Sequence, residues 1–383
     1  MSRFRRFTQM INSPFVELYQ SAVRAAFKVN ASDIHIEATR TGVDIRFRVY
    51  GEMQPVWKTV DLEHKASFLA AVKAATNLEI GVSGKAQDSR CNVPGLPLDL
   101  RVSLLPTLFG ETIVLRLLDS TREFSLSQLQ VPSYTVKRLR RAINEPNGVV
   151  LVSGPTGSGK TTTLFSLLGE IDRSRKKIIT LEDPVEYVMP GISQVRVNPK
   201  VSFSDALRAV LRQDPDVILV GEIRDEETAA LAFRAAATGH LVLSTVHANN
   251  AREVISRIQN LGVDHDSICS NLRLSAAQRL VPKLCSHCSM PAHEEFIEEA
   301  SKVAGFTFDE CDNLRIRCDG GCPHCEGGVV GRLPVIEYLG DEDVEAVIND
   351  EEDLSFLSLN LTNATLDLAC EGLIDVREVI YVS

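Results

Sequence analysis

The sequence predicts an α/β fold in two parts: a smaller α+β domain, then a larger domain of alternating strands and helices with a compact insertion. Three observations predict it. From residue 148 onward, short apolar runs rich in Val, Ile and Leu alternate with helical patterns, as in a parallel sheet covered on both faces. One of these runs, "GVVLVS", passes directly into a glycine-rich turn and then a helical stretch. Two CxxC pairs, "CSHC" and "CPHC", interrupt the alternation.

A chain of 383 residues is long enough for two or three domains, each with its own core. No apolar run reaches the length of a membrane span, and the basic start "MSRFRRFTQMINSPF" lacks the apolar stretch of a secretory signal. These features place the expected location in the cytoplasm. Arg3, Arg5 and Arg6 read as a solvated tail. The net charge of −10 argues against a surface that binds nucleic acid as a whole, though not against a local basic groove.

In "VDIRFRVYGEM" (43–53), Ile45, Phe47 and Val49 share one strand face, opposite Arg46 and Arg48. "DLEHKASFLAAVKAATNLEI" (61–80) reads as a helix with Asp61 as its N-cap. "LPLDLRVSLLPTLFGETIVLRLLD" (96–119) reads as two strands joined around Phe109-Gly110. Leu98, Leu100 and Val102 face the core from one strand, and Ile113, Leu115 and Leu117 from the other, so parity puts Arg101 and Arg116 together on the opposite face. The predicted first domain is 1–118. The polar, proline-terminated stretch 119–132 is the predicted linker, and 133–383 the second domain, opening on a basic helix at 133–144.

"GPTGSGKTT", residues Gly154, Pro155, Thr156, Gly157, Ser158, Gly159, Lys160, Thr161 and Thr162, lies between a strand and a helix. Glycines here let backbone N–H groups turn inward around phosphate oxygens, and the helix N-terminus adds its positive end. Lys160 would reach the β and γ phosphates of ATP, and Thr161 would ligate Mg²⁺. Further on, "IITLEDPVEY" ends a strand in Glu182, Asp183 and Glu186, and "DPDVILVGEIRD" ends one in Gly221-Glu222. One carboxylate should activate the attacking water and another should hold Mg²⁺. Glu182 is the preferred base and Glu222 the preferred metal ligand, with the reverse assignment open. The strand Leu241–Val246 is bracketed by His240 and His247. His247 falls where a γ-phosphate sensor would sit, with Ser244 and Thr245 nearby. His240 falls at the other end, near a subunit boundary.

The odd count of nine cysteines speaks against a disulfide framework, and in a reducing compartment paired CxxC turns favour metal. Cys285, Cys288, Cys322 and Cys325 can complete a tetrahedral thiolate site with no open position, the mark of a structural Zn²⁺. Cys311, Cys318, His287 and His324 are competing ligands, while Cys91, Cys269 and Cys370 read as buried thiols. The predicted metal insertion is 283–330, and 331–383 reads as an acidic, helical end.

"SDIHIE", "GPTGSGKTTTL", "LEDPVEY", "RQDPDVILVGEIRD" and "TGHLVLSTVHANN" occur in the order of the secretion ATPase superfamily. From about residue 30 to the C-terminus the chain resembles its type II secretion and type IV pilus assembly ATPases in particular. The resemblance implies a PAS-like N-terminal domain on a RecA-like P-loop ATPase core with a zinc-knuckle insertion. It also implies a homo-hexamer that closes over nucleotide at subunit boundaries and is peripheral to an inner-membrane platform protein, with no nucleic acid as partner. Family roles fall on Lys160, Thr161, Glu182, Glu222, His240 and His247. Arg101 and Arg116 match the family's N-domain arginines that reach the nucleotide. Cysteine pairs mark assembly and export ATPases of the superfamily, and retraction ATPases generally lack them. Ala248, Asn250, Ser89 and "GGVVGR" depart from the family's common residues without touching a proposed catalytic atom. The family's extra N-terminal domain has no counterpart in this sequence, so docking to a platform is expected to use other means.

Overall fold

The computed structural model describes residues 14–119, 124–198, 200–308, 311–349 and 360–382. The chain divides into two compact units at Arg122/Glu123.

In the first unit, α1 (Pro14–Lys28) leads to β1 (Ala31–Ala38), β2 (Gly42–Val49), β3 (Glu52–Met53) and β4 (Lys58–Asp61), then α2 (Lys65–Ala75), β5 (Gln87–Asn92), β6 (Leu98–Thr107) and β7 (Gly110–Asp119). The strands form a seven-stranded sheet in the order β3-β2-β1-β7-β6-β5, with β4 paired to β2. One sheet face, with Ile34, Ile36, Ile45, Leu100, Val102, Ile113 and Leu115, packs on Val23 of α1 and Phe68 and Val72 of α2. Because strand side chains alternate, the other face carries most of the polar residues, among them Asp33, His35, Arg101 and Arg116, with Val114 and Leu118 between them.

Two sequence expectations are corrected here. Asp61 makes no side-chain cap: a 3₁₀ turn at Leu62–His64 comes first, and the helix proper is only Lys65–Ala75. Its apolar face stops where Asn77 adopts a positive φ of 59°, which turns the chain away.

The second unit contains α3 (Ser133–Asn144), β8 (Gly148–Ser153), α4 (Lys160–Glu170), β9 (Ile178–Glu182), β10 (Ser193–Arg196), α5 (Phe203–Val210), β11 (Val217–Val220), α6 (Glu226–Ala237), β12 (Leu241–Val246), α7 (Ala251–Asn260), α8 (His265–Asn271) and β13 (Leu272–Leu284). After these come β14 (Met290–Pro291), α9 (Glu294–Ala304), β15 (Arg315–Ile316), β16 (Val329–Gly340), α10 (Asp341–Ile348), α11 (Leu361–Cys370) and α12 (Glu378–Val382). The main sheet runs β10-β9-β11-β12-β8-β13-β16, parallel except for the last pair. Alternate residues of each central strand feed opposite layers. Val149 and Leu151 of β8 join α5, α6, α7 and α8, whereas Val150 and Val152 join α3 and α4. Burial on both faces is why these strands read as unbroken apolar runs.

Helix starts are chemically marked. Asp225 accepts from Thr228 N at the start of α6, so Asp225→Ala should lower stability by about 1 kcal/mol, read as the shift of a thermal or denaturant unfolding midpoint.

The linker expected at 119–132 is shorter than its polarity implies. Residues 120–123 lie outside the described residues, but Phe124, Leu126 and Leu129 are buried in the second unit's core around Leu164 and Phe165. Sparse apolar residues at the right spacing sufficed to dock it. The end expected to be helical from 331 begins instead as β16, which pairs with β13 along almost its whole length. The insertion therefore hangs between two long antiparallel strands, from Cys285 to Gly328. The basic residues Arg3, Arg5 and Arg6 lie outside the described residues. No helix of the described residues is long and apolar enough to cross a membrane.

Candidate active site and cysteine cluster

Strand order determines what can meet. β9, β11, β12 and β8 are consecutive and parallel, so their carboxyl ends lie along one sheet edge about 5 Å apart. That edge carries Glu182, Glu222, His247 and the loop Gly154–Gly159, in that spatial order.

The loop follows β8 and opens α4. Gly154 and Gly159 have φ of 139° and 88°. A Cβ on Gly154 would lie 2.4 Å from the Gln278 carbonyl oxygen, so only glycine fits. Lys160 Nζ donates to the carbonyls of Gly154 and Pro155 at 2.8 and 2.9 Å, closing the loop on itself. Burial lowers the Lys160 pKa from its ordinary value; Glu222 opposes the shift and Arg279 adds to it. Thr161 and Thr162 occupy the first turn of α4. A cavity of about 380 Å³ opens beside Gly154 and Pro155, between His247 and the outer face of α7.

Glu182 is only 5% exposed, and its Oε1 accepts from Thr180 Oγ1 at 2.6 Å and Gln194 Nε2 at 3.0 Å. Burial pushes its pKa up, and these two hydrogen bonds pull the other way. Asp183, beside it, is exposed. Glu222 is more open, with an ion pair to Arg224 and its Oε2 3.9 Å from His247 Nε2. Of the two carboxylates, Glu182 is the buried one with a raised pKa, and Glu222 is the more open one.

The backbones of Ser244 and Thr245 pair with β8, the strand that leads into the phosphate loop, and their side chains bond on the other side. Their hydroxyls donate to the carbonyls of Val220 and Gly221, stitching β12 to the tip of β11. His240 stands at the far end of β12, where Nδ1 meets the Ala235 carbonyl at 2.9 Å. Within the chain it is apart from the edge that holds His247.

In the first unit, Arg101 and Arg116 are directly opposite each other across β6 and β7. Arg116 Nε donates to the buried Asp33 at 3.1 Å. Arg90 lies opposite Arg101 on β5, making a row of three arginines on one polar face. Sequence reasoning missed Arg90, because β5 ("QDSRCN") is too polar to register as a strand; pairing with β6 makes it one. Gln278 was missed as well, although it is a polar residue inside the apolar run of β13.

The sulfurs of Cys285, Cys288, Cys322 and Cys325 all lie within 4.8 Å of one another. Three of the separations are 3.8, 3.6 and 3.6 Å. A tetrahedron with metal–sulfur bonds of about 2.3 Å has sulfur–sulfur edges of about 3.8 Å, so this donor set fits Zn²⁺. His287 and His324 are not in the cluster; their rings stack on each other at 4.2 Å. Cys311, expected as a competing ligand, and Cys370, expected as a buried thiol, instead form a disulfide with each other. Fifty-nine residues apart, they were brought together by the packing of the C-terminal helices on the insertion. Cys318 is free and outside the cluster, Cys91 is buried and Cys269 is half-buried.

A family model described as type II/IV secretion system protein matches residues 9–380. Type II secretion system protein E of Dickeya dadantii is 38% identical over 97% of this chain and 76% of its own length. The type II secretion system ATPase E of Vibrio cholerae is 38% identical over 96% and 74%, and the type IV pilus assembly ATPase PilB of Pseudomonas aeruginosa 40% over 86% and 58%. Among solved structures, the ATPase DotB of Legionella pneumophila superposes with a TM-score of 0.69 at 24% identity, covering 95% of each chain, which shows a shared fold. With its strand-edge carboxylates, glycine-rich loop and paired cysteines in one order, the chain belongs to the type II/IV secretion system protein family.

Proposed function

We propose that this chain is the ATP-hydrolysing motor of a type II secretion or type IV pilus assembly system. It would work as a homo-hexamer on the cytoplasmic side of the inner membrane, against a platform protein. The observation that supports the reading best is the single sheet edge where a phosphate loop meets the buried Glu182 and the more open Glu222 and His247. In it, backbone N–H groups of the loop and Lys160 hold the phosphates, Glu182 takes a proton from the attacking water, and His247 faces the terminal phosphate. Thr161 and Glu222 would hold Mg²⁺, which neutralises phosphate charge when bound. Arg101 and Arg116 of a neighbouring subunit would supply further positive charge, and His240 would act at a subunit boundary. The four-cysteine cluster would hold a structural Zn²⁺, which would favour assembly or export over retraction.

Phosphate release by the purified full chain with ATP and Mg²⁺ tests the reading, together with its mass in solution and its zinc content. Steady turnover by a six-membered zinc-loaded ring, unchanged by DNA or RNA, is the expected result. A ring without turnover would make the protein a nucleotide-switched scaffold, stimulation by nucleic acid would make it a translocase, and a zinc-free chain would move it toward retraction.

A further inference from the structure

β13 lies next to β8 in the sheet, and two adjacent residues on it each hold one of the two loops that the proposed reaction uses. Gln278 is 1% exposed. Its Nε2 donates to the Ser158 carbonyl at 2.7 Å, and its Oε1 accepts from Thr163 Oγ1 at 2.6 Å. The carbonyl contact requires a donor, so the amide has one permitted orientation. Across a trans peptide the carbonyl and the following N–H point opposite ways. Drawing the Ser158 carbonyl toward Gln278 therefore aims the Gly159 N–H in the opposite direction.

Arg279 points to the other side of the strand. Its Nη2 donates to the Asn249 carbonyl at 2.7 Å, two residues beyond His247. Glu253 accepts from the same residue's N–H at 2.9 Å, so Asn249 is gripped at both backbone groups. The Ala251 N–H, at the end of this loop, donates to the buried Glu337 on β16, whose other oxygen accepts from Leu361 N at 3.1 Å. The Arg279 charge is felt at both Lys160 and Glu337.

We propose that Gln278 and Arg279 are a pair of positioning residues: Gln278 shapes the phosphate loop for nucleotide, and Arg279 sets the histidine loop for the terminal phosphate. The inference rests on the reading of Gly154–Thr162 as the nucleotide site. It makes a specific division of labour. ADP engages the phosphate loop but presents no terminal γ-phosphate to His247. Losing Arg279 should therefore leave ADP binding intact and slow turnover, whereas altering Gln278 should weaken binding of either nucleotide.

The test uses the full-length chain, measuring the Kd of a fluorescent N-methylanthraniloyl ADP together with kcat and KM for ATP. Gln278→Glu, which turns a carboxylate oxygen toward the Ser158 carbonyl, should raise the ADP Kd by about tenfold or more. Arg279→Ala should lower kcat by about tenfold with the ADP Kd within about twofold of wild type, and Arg279→Lys should recover part of that kcat. If Gln278→Glu fails to fold by circular dichroism, Gln278→Met keeps the volume without the charge and carries the same expectation.

Wild-type constants in the Gln278 and Arg279 variants would overturn the proposal. So would equal losses of ADP binding and turnover in Arg279→Ala, or no recovery with lysine. Lys160→Ala separates this from the underlying reading. If it binds ADP like wild type, the site assignment fails; if it does not bind while the Gln278 and Arg279 variants behave as wild type, only the positioning pair fails.

Discussion

Glu182→Gln lowers kcat by about 10² to 10⁴-fold while ADP and ATP still bind, because the amide keeps the shape of the carboxylate but cannot accept a proton. The same substitution should make the unfolding midpoint less sensitive to rising pH than that of the wild-type protein. The sign follows from burial. The folded-state pKa of Glu182 lies above its ordinary value, so folding favours the protonated form. The stabilisation from that preference is complete below the unfolded pKa and is lost as pH rises through the folded one. As pH rises through the folded-state pKa the wild-type protein comes to hold an ionised, buried carboxylate, which the amide variant lacks at any pH. Activity has the matching dependence. The acid limb of the kcat profile should lie above the usual carboxylate range, and Gln194→Ala should move it higher still by removing a hydrogen bond that favours the ionised form. Steady-state kinetics across pH, with binding measured separately, checks both. Wild-type turnover in Glu182→Gln would hand the base role to Glu222, the reverse assignment.

Removing the proposed zinc, by chelation or by Cys322→Ser, should unfold the insertion and loosen the C-terminal helices while sparing the proposed nucleotide site. A structural zinc site of four thiolates contributes on the order of 10 kcal/mol to folding its subdomain. The insertion's own core is small: Ala300, Phe308, Leu314 and Ile316 share one cluster with Leu361, Leu368 and Val379 of the C-terminal helices and with Ile374 between them. Hydrogen exchange should accelerate across residues 285–308, 311–328 and 361–382, with β8, β9, β11 and β12 as protected as before. Zinc content should fall from one per chain to near zero. Protected amides in a metal-free preparation would mean that apolar packing and the Cys311–Cys370 disulfide suffice to hold this region.

Much of the proposed ATP site was legible because each of its parts is local. A strand feeding a glycine-rich turn and a helix is written in consecutive residues, as are the carboxylates and histidine that follow apolar runs. The parity of Leu98–Val102 and Ile113–Leu117 likewise placed Arg101 and Arg116 on one face, and they stand opposite each other in the sheet. Readings that depended on non-local partners fared differently. Polarity alone made 119–132 a linker, but three apolar residues dock its second half into the core. Composition alone made the end helical, but β13 supplies the partner that turns 329–340 into a strand.

The sequence by itself therefore determined the chemistry: a phosphate loop, acidic and histidine strand tips, and two thiolate pairs, each carried by a few neighbouring residues. The tertiary structure alone decided which of them share an edge, which cysteines pair, and that Gln278 and Arg279 hold the two loops together. The reason is physical. Dihedral preferences and side-chain periodicity act over a few residues and can be read in order, whereas pairing, burial and pKa depend on atoms brought near from distant positions in the chain.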